Sequence, residues 1–274
     1  MGGRSIMKDA PKKITVPVVR EAKGRRKLTM VTAYDAPSAR IVDEAGVDIA
    51  LVGDSLGMVI QGKPDTLGVT IDQMVYHTEM VARSTARALV VGDMPFLSFQ
   101  ISDERTIESA GRLIQAGAAA VKLEGGGRTA ERIRLLSEIG IPVMAHLGLT
   151  PQSIHQMGGY KVQGRDTETA RRLLDEAKRV QDAGAFAVVL EGMPAALATQ
   201  MTDQLAIPTI GIGAGLHCDG QVLVFHDLVG LSGDRTPTFV RRYADLRVTA
   251  VEAVKKFKAD VEAGRFPSEG ESYK

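Results

Sequence analysis

The chain has 274 residues, 44% of them hydrophobic, and a formal net charge of +1 at neutral pH. That length and apolar share suffice for one large domain with a sizeable core, and the near-neutral balance leaves no electrostatic footprint for nucleic acid or an anionic membrane. One cysteine, Cys218, excludes an intrachain disulfide framework, and no apolar run approaches the roughly 18 residues that would span a bilayer.

The opening stretch MGGRSIMKDAPKKITV carries charges but no apolar core, so it does not read as a secretory signal, and a cytoplasmic location is expected. The first 26 residues are read as a helical segment closing the amino-terminal end of the fold. The basic run Lys23-Gly-Arg-Arg-Lys27 is read as a solvated loop. Strand one is LTMVTAYD (28–35), followed by the helical APSARIVDEAG (36–46). Six further apolar runs each end in a polar or glycine-rich step: DIALVGDS (48–55), LVVGDMP (89–95), AAVKLEGG (119–126), IPVMAHLG (141–148), FAVVLEGM (186–193) and IPTIGIGAG (207–215). Continuous apolar character suits parallel strands buried on both faces. Helical spacing occupies residues 72–85, 104–117, 128–140, 166–184 and 193–206, between successive runs. QVLVFHDLVG (221–230) is the eighth strand, and a last helix is expected around 238–263.

Eight strands with intervening helices predict an α/β chain folded as a (β/α)8 barrel, a single domain over 1–274 with an amino-terminal cap and a carboxyl-terminal helix. The rival, a doubly wound open sheet, lacks its GxGxxG fingerprint after strand one. Two insertions, 57–70 and 148–165, are expected at the carboxyl ends of strands, where substrate contacts and lids lie.

The strand ends carry Asp54, Asp93, Lys122, Glu124, His146 and Glu191, which the barrel brings to one mouth. Asp54, Asp93 and Glu124 end strands two, three and four, which lie about 4.8 Å apart, so they suit Mg²⁺ better than zinc; the alternative is three helix-capping acids. Lys122 shares a face with Glu124 and either pairs with the acids or meets a substrate carboxylate or enolate oxygen. Glu191, set apart from the acids, is a general-base candidate or a helix cap. His146 reads equally as a ligand contact or a hydrogen-bonded core histidine. GIGAG (211–215) reads either as a phosphate site at a helix start or as glycines that give a tight turn or a close approach of substrate. Cys218 is read as a buried, inert thiol. A metal, a lysine and a separate carboxylate are the groups that remove a proton α to a carbonyl.

TAYDAPSA (32–39), VGDSLGMVIQG (52–62), VKLEGG (121–126), HLGLTPQS (146–153), GGYKVQGR (158–165) and GIGAGLHCDGQVLVFHDLVG (211–230) resemble the ketopantoate hydroxymethyltransferase family, over about residues 14 to 265. The resemblance implies a barrel of the phosphoenolpyruvate/isocitrate lyase type, Mg²⁺, 5,10-methylenetetrahydrofolate as one-carbon donor and 3-methyl-2-oxobutanoate as acceptor. It implies that Asp54 and Asp93 hold the metal with Glu124 completing its environment, that Ser55, Asp93 and Lys122 contact the keto acid, and that Glu191 accepts the proton. It further implies a homodecamer of two stacked pentameric rings. One departure is Ala145, where the family pattern has glycine, expected to tighten the pocket beside His146. The rivals are a Mg²⁺-dependent lyase or mutase acting on another 2-oxo acid, and a non-catalytic protein that keeps the barrel.

Overall fold

The computed structural model of the chain describes residues 12–233 and 237–273, which fall into two compact units meeting at Val224 and Phe225. In the first unit the eight apolar runs become eight parallel strands. They are β1 (Leu28–Thr32), β2 (Ile49–Val52), β3 (Leu89–Asp93), β4 (Ala120–Glu124), β5 (Val143–Gly148), β6 (Ala187–Glu191), β7 (Thr209–Ile212) and β8 (Gly220–Leu223). Each pairs with its sequence neighbour, and β1 closes on β8 through Leu28–Gly220 and Met30–Val222, so the sheet is a closed barrel in the order predicted.

Helices α1 (Val16–Glu21), α2 (Ala36–Glu44), α3 (Leu56–Val59), α4 (Ile71–Arg83), α5 (Asp103–Gln115), α6 (Thr129–Glu138), α7 (Ile154–Met157), α8 (Thr167–Asp182) and α9 (Ala195–Gln204) follow or separate the strands. The starts obey local chemistry. Asp35 and Thr70 form reciprocal capping boxes at α2 and α4, while Ser102 and Asp166 accept backbone N–H groups at α5 and α8. Both insertions, expected as loops, hold short helices, α3 in the first and α7 in the second.

Strand alternation sends Leu28, Met30, Ile49, Leu51, Leu89, Val91, Ala120, Met144, Ala187, Val189, Ile210 and Val222 into one interior cluster. Burying each Leu, Ile or Val there contributes about 1.5–3 kcal/mol. Ile14, Val19 and Ala22, from and around α1, join the same cluster and cover its amino-terminal end. The expected amino-terminal cap therefore exists from Ile14 onward; its first 11 residues lie outside the described ones.

The basic run at 23–27 is an exposed turn, as expected, but it is also tied to the fold. Lys23 pairs with Asp219 at 2.8 Å, Arg26 donates twice to Asp48 at 3.0 Å, and Lys27 donates to the Cys218 carbonyl at 2.6 Å. These acids start strands, so the run laces the amino-terminal rim together. Ala145 departs from its reading. It lies on the opposite face of β5 from Met144 and His146, turned away from the interior, so its methyl does not narrow the pocket. No helix follows GIGAG: residues 213–219 run straight into β8, which removes the helix-start phosphate site and leaves the tight turn or close substrate approach.

The second unit begins with α10 (Phe225–Leu228), so the eighth strand stops at Leu223 rather than at 230. Its long helix α11 is Leu246–Glu262, shorter than the expected 238–263. Tyr243, Leu246 and Arg247 donate their backbone N–H groups to the carbonyls of Leu228, Val229 and Gly230, at 2.9, 3.0 and 3.1 Å. Those bonds pin the chain ahead of α11 and satisfy donors at its first turn. Among the described residues no helix is long and apolar enough to cross a membrane.

Candidate active site

The carboxyl ends of β2 to β6 gather the predicted side chains. Register places Asp93 beside Lys122 and Glu124 beside His146, while Glu191 lies opposite Gly148. Asp54 and Ser55 occupy the turn between β2 and α3. Asp54, Asp93, Lys122, Glu124 and His146 are all buried, and Glu191 is half-buried at the end of β6.

Lys122 is the hub. Its Nζ lies 2.7 Å from Asp93 Oδ1 and 3.8 Å from Glu124 Oε1. Burial works against its charge, but Asp93, Glu124 and Asp54 outweigh it and hold the ammonium well above the usual lysine range. Asp93 Oδ2 accepts the Asp54 backbone N–H at 3.3 Å. Asp93 Oδ1, though close to Lys122, has no partner in hydrogen-bonding geometry and keeps acceptor capacity.

His146 bridges two acids. Its Nδ1 is 3.4 Å from Glu124 Oε1 and its Nε2 is 3.2 Å from Glu191 Oε2. Burial and the Lys122 charge push the imidazole down, yet Glu124 and Glu191 carry it up to about 9, so it is imidazolium at neutral pH. Lys122 Nζ stands 3.4 Å from Nδ1, and because both groups only donate, Glu124 is the true partner of each. His146 is thus a buried histidine with polar partners on both ring nitrogens, a charged link between Glu124 and the base candidate.

The acids divide by environment. Burial, then the charges of Asp93 and Glu124, push Asp54 well above the carboxylate range, and burial raises Asp93 despite Lys122. Glu124 is also penalised by burial, but His146, Lys122 and the Gln152 N–H bring it below its ordinary value. Four carboxyl groups (Asp54, Asp93, Glu124, Glu191) therefore face two cationic ones, Lys122 and His146. A divalent cation would supply the missing positive charge, and the under-used Asp93 Oδ1 and all-oxygen acids suit Mg²⁺. Among the described residues no group of three or more His, Cys, Asp or Glu side chains is arranged to hold a metal ion. Mg²⁺ would need only one or two carboxylates, with water and substrate completing its shell. Asp54 and Asp93 would be those two, with Glu124, engaged by His146 and Gln152, behind them.

Two contacts carry no sequence signal. Tyr34 Oη lies 2.8 Å from Ser55 Oγ, fixing the serine hydroxyl at the mouth. Gln152 donates to Asp54 Oδ2 and to the Met94 carbonyl, each at 2.9 Å. The two insertions meet above the site, where Tyr160 Oη donates to Met58 Sδ at 3.5 Å. Burial and the acids Asp65, Glu191 and Asp54 raise the Tyr160 phenol, so it faces this acidic mouth. Cys218 lies at the other end of the barrel, just before β8, where burial pushes its thiol up.

Solved structures with this architecture include 2,3-dimethylmalate lyase, a PEP mutase/isocitrate lyase superfamily member (TM-score 0.59, 16% identity, covering 94% of this chain and 91% of that one). Phosphoenolpyruvate phosphomutase from Streptomyces platensis subsp. rosaceus aligns with TM-score 0.61 at 15% identity, over 92% and 88%. At such identities the likeness shows the fold alone: a (β/α)8 barrel.

Sequence comparison narrows the class. A protein of Geobacter metallireducens named 3-methyl-2-oxobutanoate hydroxymethyltransferase is 53% identical over 263 residues, covering 96% of this chain and 98% of that protein. One of the same name from Pelobacter propionicus is 53% identical over 269 residues, covering 97% and 100%. The model of the family described as ketopantoate hydroxymethyltransferase matches residues 13–269, and the chain belongs to that family of enzymes.

Proposed function

We propose that this enzyme transfers a hydroxymethyl group from 5,10-methylenetetrahydrofolate to C3 of 3-methyl-2-oxobutanoate, giving 2-dehydropantoate (ketopantoate), the first step of pantothenate synthesis. The observation that carries the reading is the separation of roles in one buried mouth. A surplus of carboxyl groups gathers around Lys122, and Glu191 stands apart from them, tied in only through His146.

Asp54 and Asp93, with Glu124 behind them, would hold Mg²⁺, which would supply Lewis-acid positive charge to the bound 2-oxo acid. Lys122 adds a fixed ammonium on the same side, where negative charge develops on the keto oxygen as the C3 proton leaves. Ser55, held by Tyr34, donates to the keto acid carboxylate or carbonyl. Glu191 accepts the C3 proton. His146 holds Glu191 Oε2, which leaves Oε1 to face the substrate. Water cleaves the C–N bonds of the methylene bridge, so that tetrahydrofolate leaves and the one-carbon unit is freed at the formaldehyde level. The carbanionic C3 adds to that carbon, and its oxygen takes up a proton to become the new hydroxyl.

Family membership also supports a cytoplasmic homodecamer of two stacked pentameric rings, which sedimentation velocity checks directly. The lyase and mutase alternative needs a group at the mouth to supply an acid or nucleophile, typically cysteine, and the single cysteine lies at the opposite end.

The test follows the first step alone. Enzyme with Mg²⁺ and no folate exchanges the C3 hydrogen of 3-methyl-2-oxobutanoate for deuterium, read by proton NMR as collapse of the isopropyl methyl splitting. Glu191→Gln keeps the shape and removes the basicity, so exchange and product formation fall together by about 10²–10⁴-fold. Undiminished exchange in that variant moves the base elsewhere and sinks the assignment.

A further inference from the structure

We propose that Gln152 is a positioning residue, a neutral clamp that fixes Asp54 and Glu124 around the divalent-cation position without cancelling their charge. This rests on the Mg²⁺ reading above. Gln152 is 6% exposed and sits in the single 3₁₀ turn Pro151–Ser153 that follows β5. Every polar group it brings to the site has a partner. Its backbone N–H donates to Glu124 Oε2 at 2.9 Å, and its amide nitrogen donates to Asp54 Oδ2 and to Met94 O, both at 2.9 Å. Its amide oxygen accepts from Gln100 Nε2 at 3.3 Å. One residue thus ties together groups that follow β2, β3 and β5 and the last residue of β4.

Charge is what distinguishes this arrangement. A buried carboxylate needs donors, and a lysine or arginine would provide them together with a full positive charge. An amide provides two N–H donors and none. Asp54 is therefore oriented through Oδ2 while its second oxygen and its charge remain for a cation. Glu124 is likewise held through Oε2 by a backbone amide, and its Oε1 faces His146 and Lys122. The clamp also makes the start of the second insertion part of the cation position, because Gln152 cannot leave without releasing both acids.

The experiment measures Mg²⁺ binding to the full-length protein by titration calorimetry, without keto acid or folate, alongside thermal melting and steady-state kinetics. Gln152→Met keeps the length and removes the donors, so Mg²⁺ affinity drops about 10–100-fold, the scale seen when groups that orient a metal ligand are lost. Gln152→Lys brings a cation to the same atoms, so Mg²⁺ binding is lost while the melting temperature holds or rises. A role limited to packing moves the melting temperature and leaves Mg²⁺ affinity within twofold of the parent in both variants, which overturns the clamp alone. A parent protein that takes up no Mg²⁺ overturns the cation reading and the clamp with it. If Gln152→Met does not fold, Gln100→Leu at its exposed position removes the donor to the Gln152 amide oxygen, together with an acceptor of the Phe99 N–H that lies outside the cation position. Weakening of Mg²⁺ binding beyond twofold then supports the clamp, and unchanged binding overturns it.

Discussion

Both ends of the barrel bury aspartates, and they treat them oppositely. At the amino-terminal rim Asp48 and Asp219 are 4% and 6% exposed, and at the mouth Asp54 and Asp93 are 4% and 2% exposed. Burial raises all four, yet at the rim it is more than offset. Arg26 and Thr29 bring Asp48 below its ordinary value, and Lys23 and the Thr209 N–H do the same for Asp219. At the mouth one lysine serves three acids, and both aspartates stay raised. The rim spends cations to satisfy its acids; the mouth withholds them. Depth of burial therefore does not separate a structural acid from a functional one, whereas the local balance of charge does.

The largest expected contrast is between Asp93→Asn and Asp48→Asn. The first removes a surplus charge and a cation ligand, so turnover falls about a thousandfold or more while thermal stability is kept or gained. Treatment of the parent with EDTA reproduces that loss of activity. The second strands Arg26 and the donors of Thr29, so stability falls by roughly 2 kcal/mol in a denaturant titration while activity per folded molecule is unchanged. Stability losses of equal size in the two variants would erase the distinction between the ends.

Lys122→Met comes next. Removing the one ammonium among the mouth acids lowers kcat by about 10²-fold and raises KM for the keto acid, because substrate and the developing oxygen charge both lose it. Unchanged kinetic constants would mean that Lys122 only balances Asp93 and Glu124, as the basic residues of the rim do.

Acid titration gives the smallest effect. Asp48 and Asp219 have folded values below their unfolded ones. Their contribution is fully present above about pH 4 and is lost as pH falls through the lower folded values. Asp48→Asn should therefore flatten the acid limb of the stability curve below about pH 4 and leave the neutral region parallel to the parent. A variant curve parallel to the parent down to pH 2 contradicts the rim assignment.

The barrel and most of its mouth were legible in the sequence because both leave periodic marks. Buried parallel strands write continuous apolar runs, and charged residues at the ends of such runs stand out against them, as Asp93, Lys122 and Glu191 do. Gln152 left no mark. It is a neutral residue in an irregular turn, and its meaning lies wholly in the partners that folding supplies. Tyr34 was hidden for the same reason, inside a segment read simply as strand. The basic run at 23–27 was legible as an exposed turn but not as an ion-paired one, because its acids lie far off in sequence, 22 residues away for Arg26 and 196 for Lys23. GIGAG looked like a helix start because glycine-rich steps usually precede helices in such barrels, and here the chain returns directly to β8. The α11 boundary depended on backbone bonds to the turn at 228–230, which helical periodicity cannot register.

Gly148 ends β5 in the left-handed region, at φ 97°, and a Cβ built there would come within 2.2 Å of the Glu191 carbonyl oxygen. Any side chain at this position drives a wedge into the seam between β5 and β6 and shifts the backbone that carries Glu191. For anyone diversifying the mouth to admit bulkier or longer 2-oxo acids, the consequence is a design boundary. The mouth loops carrying Met58 and Tyr160 are exposed and leave room for variation, but a library that randomises residue 148 would score displacement of Glu191 as altered specificity.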